Sequence, residues 1–366
     1  MKSYLEFEKE VKVLEEELEK LKDPFNKGGI SEVNTQQISK IQDEIDNKLK
    51  TSYANLDAWQ KTQVARHEER VKSKFLIENL FTNFIKLSGD RKFGDDEAII
   101  CGFGIFEKRS VCIIGQERGE GIDGRVRHNF GMVKSHGYRK CVRVMKLADK
   151  FNIPILTFID CPGADASPDS ENTGIFEAIA RSIECSLEMK VPIISTIIGS
   201  GGSGGALAIG TANKVLMLSN AIFSVISPEG AASILFRDPT KAAESAKAMK
   251  LTADETFKMG LVDEVVSEGV AAHISKEQTV SNIKIAIIKY LEEFKNFTAE
   301  EIVAQRKEKF LSIGKQKSFT SISKDYANLI TKNNFITFIK KNYLKYKNRN
   351  IIFFLLSLAV ILYLIK

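Results

Sequence analysis

The chain has 366 residues, 43% apolar and 27% charged; this composition excludes a disordered, collagen-like or mucin-like polymer, and the length supplies a core that needs no metal or disulfide staple. One large or two ordinary domains fit that length. The net charge of +6 is uneven, because residues 306–366 hold 13 Lys/Arg against 2 Asp/Glu and leave the rest net acidic; the body has no basic run interleaved with aromatics, so no nucleic acid is expected as a partner.

Residues 3–22 predict a helix, with Phe7, Val11, Leu14, Leu18 and Leu21 on one stripe. Asp23-Pro24 stops it and Gly28-Gly29 turns the chain. A second helix is expected from Thr35 to Leu56, with Ile38, Ile41, Ile45 and Leu49 on one face. The two predict an antiparallel pair packed on the body or on a partner. A short third helix covers Trp59 to Arg66. From about residue 88, β-rich runs appear at Ala98–Phe106, Ser110–Ile114, Pro154–Ile159, Pro192–Ile198, Lys214–Leu218 and Ile222–Ile226. Helical patterns alternate with them at Tyr138–Lys150, Gly174–Met189, Ala206–Ala212 and Ala231–Phe236. Alternation of this kind predicts an α/β fold, and near-continuous apolar strands predict burial on both sheet faces. Residues 271–312 read as helical again. The expected layout is a helical region over 1–75, a core over 76–270, helices over 271–314 and a basic extension over 315–366.

The extension ends in IIFFLLSLAVILYLI, residues 351–365, which carry no charge. As a helix it would be about 22 Å long, against a hydrocarbon core of about 30 Å. Lys340, Lys341, Lys345, Lys347 and Arg349 precede it. A basic collar before an apolar end fits a membrane contact with the body on the cytoplasmic side; a buried or partner-docked helix is the other reading. The N-terminus MKSYLEFEKE has no apolar signal region, which points to a cytoplasmic protein. Cysteines at 101, 112, 141, 161 and 185 form no C-x-x-C, and His67, His128, His136 and His273 have no metal-ligand spacing, so no metal is expected on this chain.

Three stretches carry candidate chemistry. In the first, a buried strand ending at Ile198 runs into Gly199-Ser200-Gly201-Gly202-Ser203-Gly204-Gly205, with a helix opening near Gly205-Ala206. Glycines admit close approach, and a helix start presents unpaired N–H groups and a positive dipole end, so the pattern predicts an oxyanion or phosphate site. The same stretch satisfies G-x-S-x-G around Ser203, but the following His273 sits in a helix-like context, and a P-loop Gly-Lys-Ser/Thr is missing. In the second, Asp160-Cys161-Pro162-Gly163-Ala164 turns at the sheet's carboxyl edge, where α/β folds bind ligands. In the third, Ser227-Pro228-Glu229-Gly230 reads as a helix cap, with Glu229 as a weak general-base candidate. A basic group, Arg118, Arg125, Arg127, Arg139 and Lys140, surrounds RHNFGM and suits phosphates or a solvated face.

Several motifs in order resemble one family: SGDRKFGDD (88–96), RHNFGM (127–132), GYRK (137–140), PILTFIDCPGA (154–164), EAIAR (177–181), IIGSGGSGGALAIG (197–210) and SVISPEGAASIL (224–235). The chain resembles the α subunit of bacterial acetyl-CoA carboxylase carboxyltransferase over about residues 3–314. The resemblance implies a crotonase-like spiral of ββα units with an N-terminal helical pair and C-terminal helices. It implies transfer of a carboxyl group from carboxybiotin on a carrier protein to acetyl-CoA, giving malonyl-CoA for fatty-acid synthesis. It implies a zinc-bearing β subunit in an α2β2 heterotetramer, together with biotin carboxyl carrier protein and biotin carboxylase. The family's biotin-side amides fall on Gly204 and Gly205. Gly201, Gly202, Ser203, Pro162, Gly163, Ala164, Ser227, Pro228, Glu229 and Gly230 are the implied substrate-binding positions. Three stretches depart from the family pattern: Val133–His136, Asp165–Pro168 and Ser200.

Overall fold

A computed structural model of the chain describes residues 3–22 and 35–315. The described residues up to 311 form one compact unit. The apolar segment 351–365 lies outside the described residues. Among the described residues no helix is long and apolar enough to cross a membrane.

The chain opens with α1 (Lys9–Lys22) and α2 (Thr35–Ala54). Tyr53 meets Glu8 while Lys48 meets Glu10, so the two helices run antiparallel, as their stripes predict. Val11, Leu18, Ile41, Ile45, Leu49 and Tyr53 are buried with Val64 and Ala271, which places the pair against the body. Next come α3 (Ala58–Ala65), capped by Asp57, and α4 (Ser73–Leu80). The strands β1 (Thr82–Lys86), β2 (Ile99–Phe106) and β3 (Arg109–Gln116) are antiparallel. The β2–β3 turn is Glu107-Lys108, with φ of 46° and 64°. These are the left-handed values of a type I′ hairpin, made without glycine or asparagine.

The parallel part follows: α5 (Gly121–Arg127), α6 (Ser135–Lys150), β4 (Ile155–Cys161), α7 (Pro168–Asn172), α8 (Ile175–Glu188), β5 (Ile193–Gly202), α9 (Ser203–Gly210), β6 (Lys214–Leu218) and β7 (Ile222–Ser224). Every residue of β4 and β5 is buried, as expected for strands covered on both faces. Last come α10 (Pro228–Phe236), α11 (Ala242–Met249), α12 (Ala253–Lys258), β8 (Glu264–Val266), α13 (Lys276–Glu293) and α14 (Ala299–Ser312). Strand order is β1-β2-β3-β4-β5-β6-β8, with β7 paired to the end of β5.

Two details differ from the sequence expectation. Gly199–Gly202 are not a turn; they extend β5, because Cys161 of β4 pairs with Gly201 and β7 pairs with Ser200, Gly201 and Gly202. Helix α9 therefore opens at Ser203, two residues early. The C-terminal helical stretch is broken in two, at Phe297–Thr298. Its second helix is fixed by Arg306, buried, whose guanidinium donates to the carbonyls of Ser186, Met189 and Val191 at 2.7 Å each.

Candidate functional site: a groove at the strand ends

The carboxyl ends of β4 and β5 lie side by side, so the turn after one faces the helix start after the other. Pro162-Gly163-Ala164 and the first turn of α9 pack directly together. A Cβ on Gly202 would lie 2.2 Å from the Pro162 oxygen, and one on Gly205 would lie 2.7 Å from the Ala164 nitrogen. Those two glycines are demanded by packing within the chain. Gly204 is different, because a Cβ there would meet only the Ile179 side chain, Cγ2 at 3.6 Å and Cδ1 at 3.9 Å. Its bare face borders open space. Ser203 holds the turn between β5 and α9 with φ of 53°, a left-handed value rare for serine.

That open space is a groove of about 450 Å³. Gly163, Ala164, Ser203, Gly204 and Gly205 form one side, and Ile175, Phe176 and Ile179 of α8 form an apolar wall. The lining carries no histidine, cysteine or lysine. The opening turn of a helix leaves its first N–H groups without intrahelical acceptors and carries a partial positive charge. An oxyanion stabilised by amides beside a flat apolar ring therefore fits this groove.

Asp165 borders the groove and accounts for one departure from the family pattern. Burial pushes its carboxyl up, but hydrogen bonds from Ser167, Ser170 and Asn129 prevail and hold it below the usual range. Ser167 also caps α7, with Pro168 at its first position. The Asp165–Pro168 segment is thus a built helix start. Ser200 has no such local reason: its backbone N–H donates to Asp160 Oδ1 at 2.9 Å, as that of any residue there would, and its buried hydroxyl has no hydrogen-bond partner.

The remaining candidate residues lie elsewhere. Gly201 sits within β5, packed near the Phe223 ring. Ser227, Pro228, Glu229 and Gly230 lie outside the groove at the head of α10, where the Ser227 hydroxyl accepts from the Gly230 N–H at 3.1 Å. Glu229 accepts both Arg66 guanidinium nitrogens, at 2.6 and 3.2 Å, which holds its carboxyl low. An ion pair of this kind leaves it poorly suited to act as a base.

The basic group also divides. Arg118 and Arg125 join Arg66, Arg70 and Lys72 around a smaller cavity of about 130 Å³ beside Asp160. The others are engaged elsewhere: Arg127 with Glu97, Arg139 with the Thr173 carbonyl, and Lys140 with Asp95 and the Asp96 carbonyl. Burial pushes the Lys72 ammonium down, and it donates to the Glu68 carbonyl at 2.6 Å.

A polar cluster that sequence spacing does not reveal joins the N-terminal helices to the body. His67 and His273, 206 positions apart, stack with ring centroids 3.9 Å apart and planes 16° from parallel. The His67 Nδ1 accepts from the Glu69 N–H, so its Nε2 carries the proton and donates to the Ser3 carbonyl at 3.0 Å. Tyr53 donates to Glu8 Oε1 at 2.7 Å and lies 3.2 Å from His273 Nε2. Glu8, His67 and His273 are near enough to be weighed as a metal group. Stacked rings aim their in-plane lone pairs side by side, and both His67 nitrogens are engaged, so the arrangement is a hydrogen-bonded clasp rather than a ligand set.

A Pseudomonas malonate decarboxylase hetero-tetramer, solved with coenzyme A, shares the fold with a TM-score of 0.52 at 15% identity, over 65% of this chain and 93% of that one. The class is a crotonase-like α/β core with its groove at the strand ends. The model of the acetyl co-enzyme A carboxylase carboxyltransferase-like family matches residues 4–314. The acetyl-coenzyme A carboxylase carboxyl transferase subunit alpha of Pelagibacter ubique is 50% identical over 348 residues, 95% of each chain. The protein of that name from Rhodopseudomonas palustris strain CGA009 is 46% identical over 317 residues, 86% of this chain and 98% of its own. The chain belongs to the acetyl-CoA carboxylase carboxyltransferase α-subunit family, an enzyme subunit acting on acyl-CoA with carboxybiotin and a β-subunit partner. A 348-residue match must run beyond residue 314, so part of the extension is shared with the Pelagibacter relative.

Proposed function

We propose that the amides at the head of α9, those of Gly204 and Gly205, receive the ureido oxygen of biotin in the groove. The observation that carries this reading is Gly204: no internal contact requires a glycine there, yet its open face lies at a helix start. Carboxybiotin, borne on its carrier protein, supplies the carboxyl group, and its loss leaves negative charge on that oxygen. Two fixed N–H groups would stabilise that charge, with each such donor worth about 2.7–4 kcal/mol by analogy with measured oxyanion holes. The α8 wall of Ile175, Phe176 and Ile179 would hold the apolar ring face. The groove's titratable side chains are the carboxylates of Asp165, whose oxygens are taken up by Ser167, Ser170 and Asn129, and Glu171, with no histidine or lysine among them, which suits a reaction in which the substrates exchange the proton themselves. The β subunit, with its zinc ribbon, would hold the acetyl-CoA thioester in an α2β2 assembly. Biotin carboxylase would recharge the carrier, in the cytoplasm. On this reading the core of residues 76–270 carries the chemistry, and the flanking helical regions 1–75 and 271–314 brace it. The basic collar and uncharged 351–365 segment would give a peripheral membrane contact, which deletion of residues 350–366 removes in a pelleting assay.

The test is carboxyl transfer run in reverse, with malonyl-CoA and a biotin derivative, on the chain with and without its β subunit. Turnover should need both chains. Gly204→Val should assemble normally, because a side chain there meets only Ile179, and turnover should fall about 10²–10³-fold. Full turnover in an assembled Gly204→Val complex overturns the amide assignment.

A further inference from the structure

We propose that Gln116, with Tyr138 beside it, is a positioning residue for the amides of α9. This rests on the reading that those amides serve the reaction. Gln116 is the last residue of β3 and is fully buried. Its Nε2 donates to the Gly205 carbonyl at 2.8 Å. Tyr138, on α6 and also fully buried, donates its hydroxyl to the same carbonyl at 3.3 Å. Burial raises the Tyr138 phenol well above its usual range, so it remains a neutral donor at any working pH. β3 is not a neighbour of β5, because β4 lies between them. The glutamine therefore reaches past the end of β4 to hold the helix that follows β5.

The brace acts on one residue from two sides. The Gly163–Ala164 backbone and the Tyr138 hydroxyl leave no room for a Cβ on Gly205, at 2.8, 2.7 and 3.0 Å. Packing confines the Gly205 Cα, and the two donors hold its carbonyl. Gln116 is poorly chosen for stability alone. Its Oε1 is buried and has no hydrogen-bond partner, a condition that costs free energy and that an apolar side chain of the same length would avoid. A polar residue kept at such a cost fits a geometric task. Reactive groups need placing within about 0.5 Å, and a misplacement of about 1 Å can cost on the order of 10²-fold in rate.

The experiment uses the full α2β2 complex and three variants: Gln116→Met, Tyr138→Phe and Gly204→Val. Gln116→Met keeps the length and removes the donor. We expect its kcat to fall at least tenfold, with KM for malonyl-CoA within twofold and Tm unchanged or raised. Amides 203–206 should exchange hydrogen faster in it. Tyr138→Phe should lower kcat several-fold by the same route. A merely structural role would move Tm and leave kcat alone, and that result overturns the proposal. If Gly204→Val loses turnover while Gln116→Met keeps it, positioning is refuted and the amide reading stands. If neither loses turnover, both readings fall. Should Gln116→Met not assemble, Tyr138→Phe decides: unchanged kcat and unchanged exchange at 203–206 refute the brace.

Discussion

The floor of the groove and the clasp under the N-terminal helices are both crowded with buried polar side chains, but opposite chemistry holds them. The floor uses neutral donors: Gln116 and Tyr138 on the Gly205 carbonyl, Ser182 on the Ala208 carbonyl, and Thr157 on Ile209. The clasp uses ionisable groups: Glu8, His67 and His273, with the fully buried Arg70–Glu268 pair close behind. Neutral hydrogen bonds give a geometry that does not change with pH. Ionisable ones tie attachment of the helical pair to the proton concentration. The difference teaches where this subunit should be rigid and where its stability should respond to conditions.

The largest expected effect is on the charged side. Glu268 accepts both Arg70 nitrogens, at 3.0 and 2.5 Å, and the N–H groups of Asn220 and Ala272 at 2.8 Å each. Arg70 also donates its Nε–H to the Ile198 carbonyl at 2.7 Å, at the foot of the glycine stretch. Glu268→Ala strands a buried guanidinium and should cost about 3–5 kcal/mol in urea unfolding. A cost below about 1 kcal/mol would show that the pair does not hold the two regions together.

A smaller effect sharpens the floor. Gly205→Ala forces a Cβ to 2.7 Å from the Ala164 nitrogen and should cost about 1–3 kcal/mol of stability. Gly204→Ala, with 3.6 Å to Ile179, should be neutral or slightly stabilising, by up to about 1 kcal/mol of helix propensity. Equal thermal shifts in the two variants would break the distinction between a glycine demanded by packing and one left for a ligand.

The smallest effect is pH. Burial, then the neighbouring His273, pulls the His67 pKa below its ordinary value of 6.5. A histidine with a depressed folded pKa binds its proton more readily when unfolded. Its contribution is therefore present above about pH 6.5 and is lost as pH falls below it. Burial opposes ionisation of Glu8, but the imidazole of His273, 3.8 Å away, and hydrogen bonds from the Leu5 N–H and Tyr53 keep its pKa below 4.5, which adds a second loss at lower pH. Hydrogen exchange in α2 should accelerate between pH 7.5 and 5.5, after correction for intrinsic rates, while β4 stays protected. In His67→Phe, which keeps the stacked ring, α2 should respond less. Parallel loss in both regions would erase the contrast.

Much of the fold was legible because its signals are local. The apolar runs of β4 and β5 could be read as doubly covered strands, and the stripes of α1 and α2 as a packed pair. The motifs at 154–164 and 197–210 marked the groove by turn chemistry and by resemblance. Short elements with weak patterns, β1, β8, α4, α11 and α12, left no such signal, and Glu107-Lys108 makes a type I′ turn from residues that do not advertise one.

By itself, the sequence determined the α/β class, the family and the two glycine-bearing turns, since periodicity and turn chemistry reside within a few neighbouring residues. Only the tertiary structure decided that Gly199–Gly202 is strand and that Gly204 and Gly205 are glycine for different reasons. It also decided that Gln116 and Tyr138 converge on one carbonyl and that His67 stacks on His273. Those outcomes depend on strand order and on which distant backbone lies within reach, and no spacing along the chain encodes them.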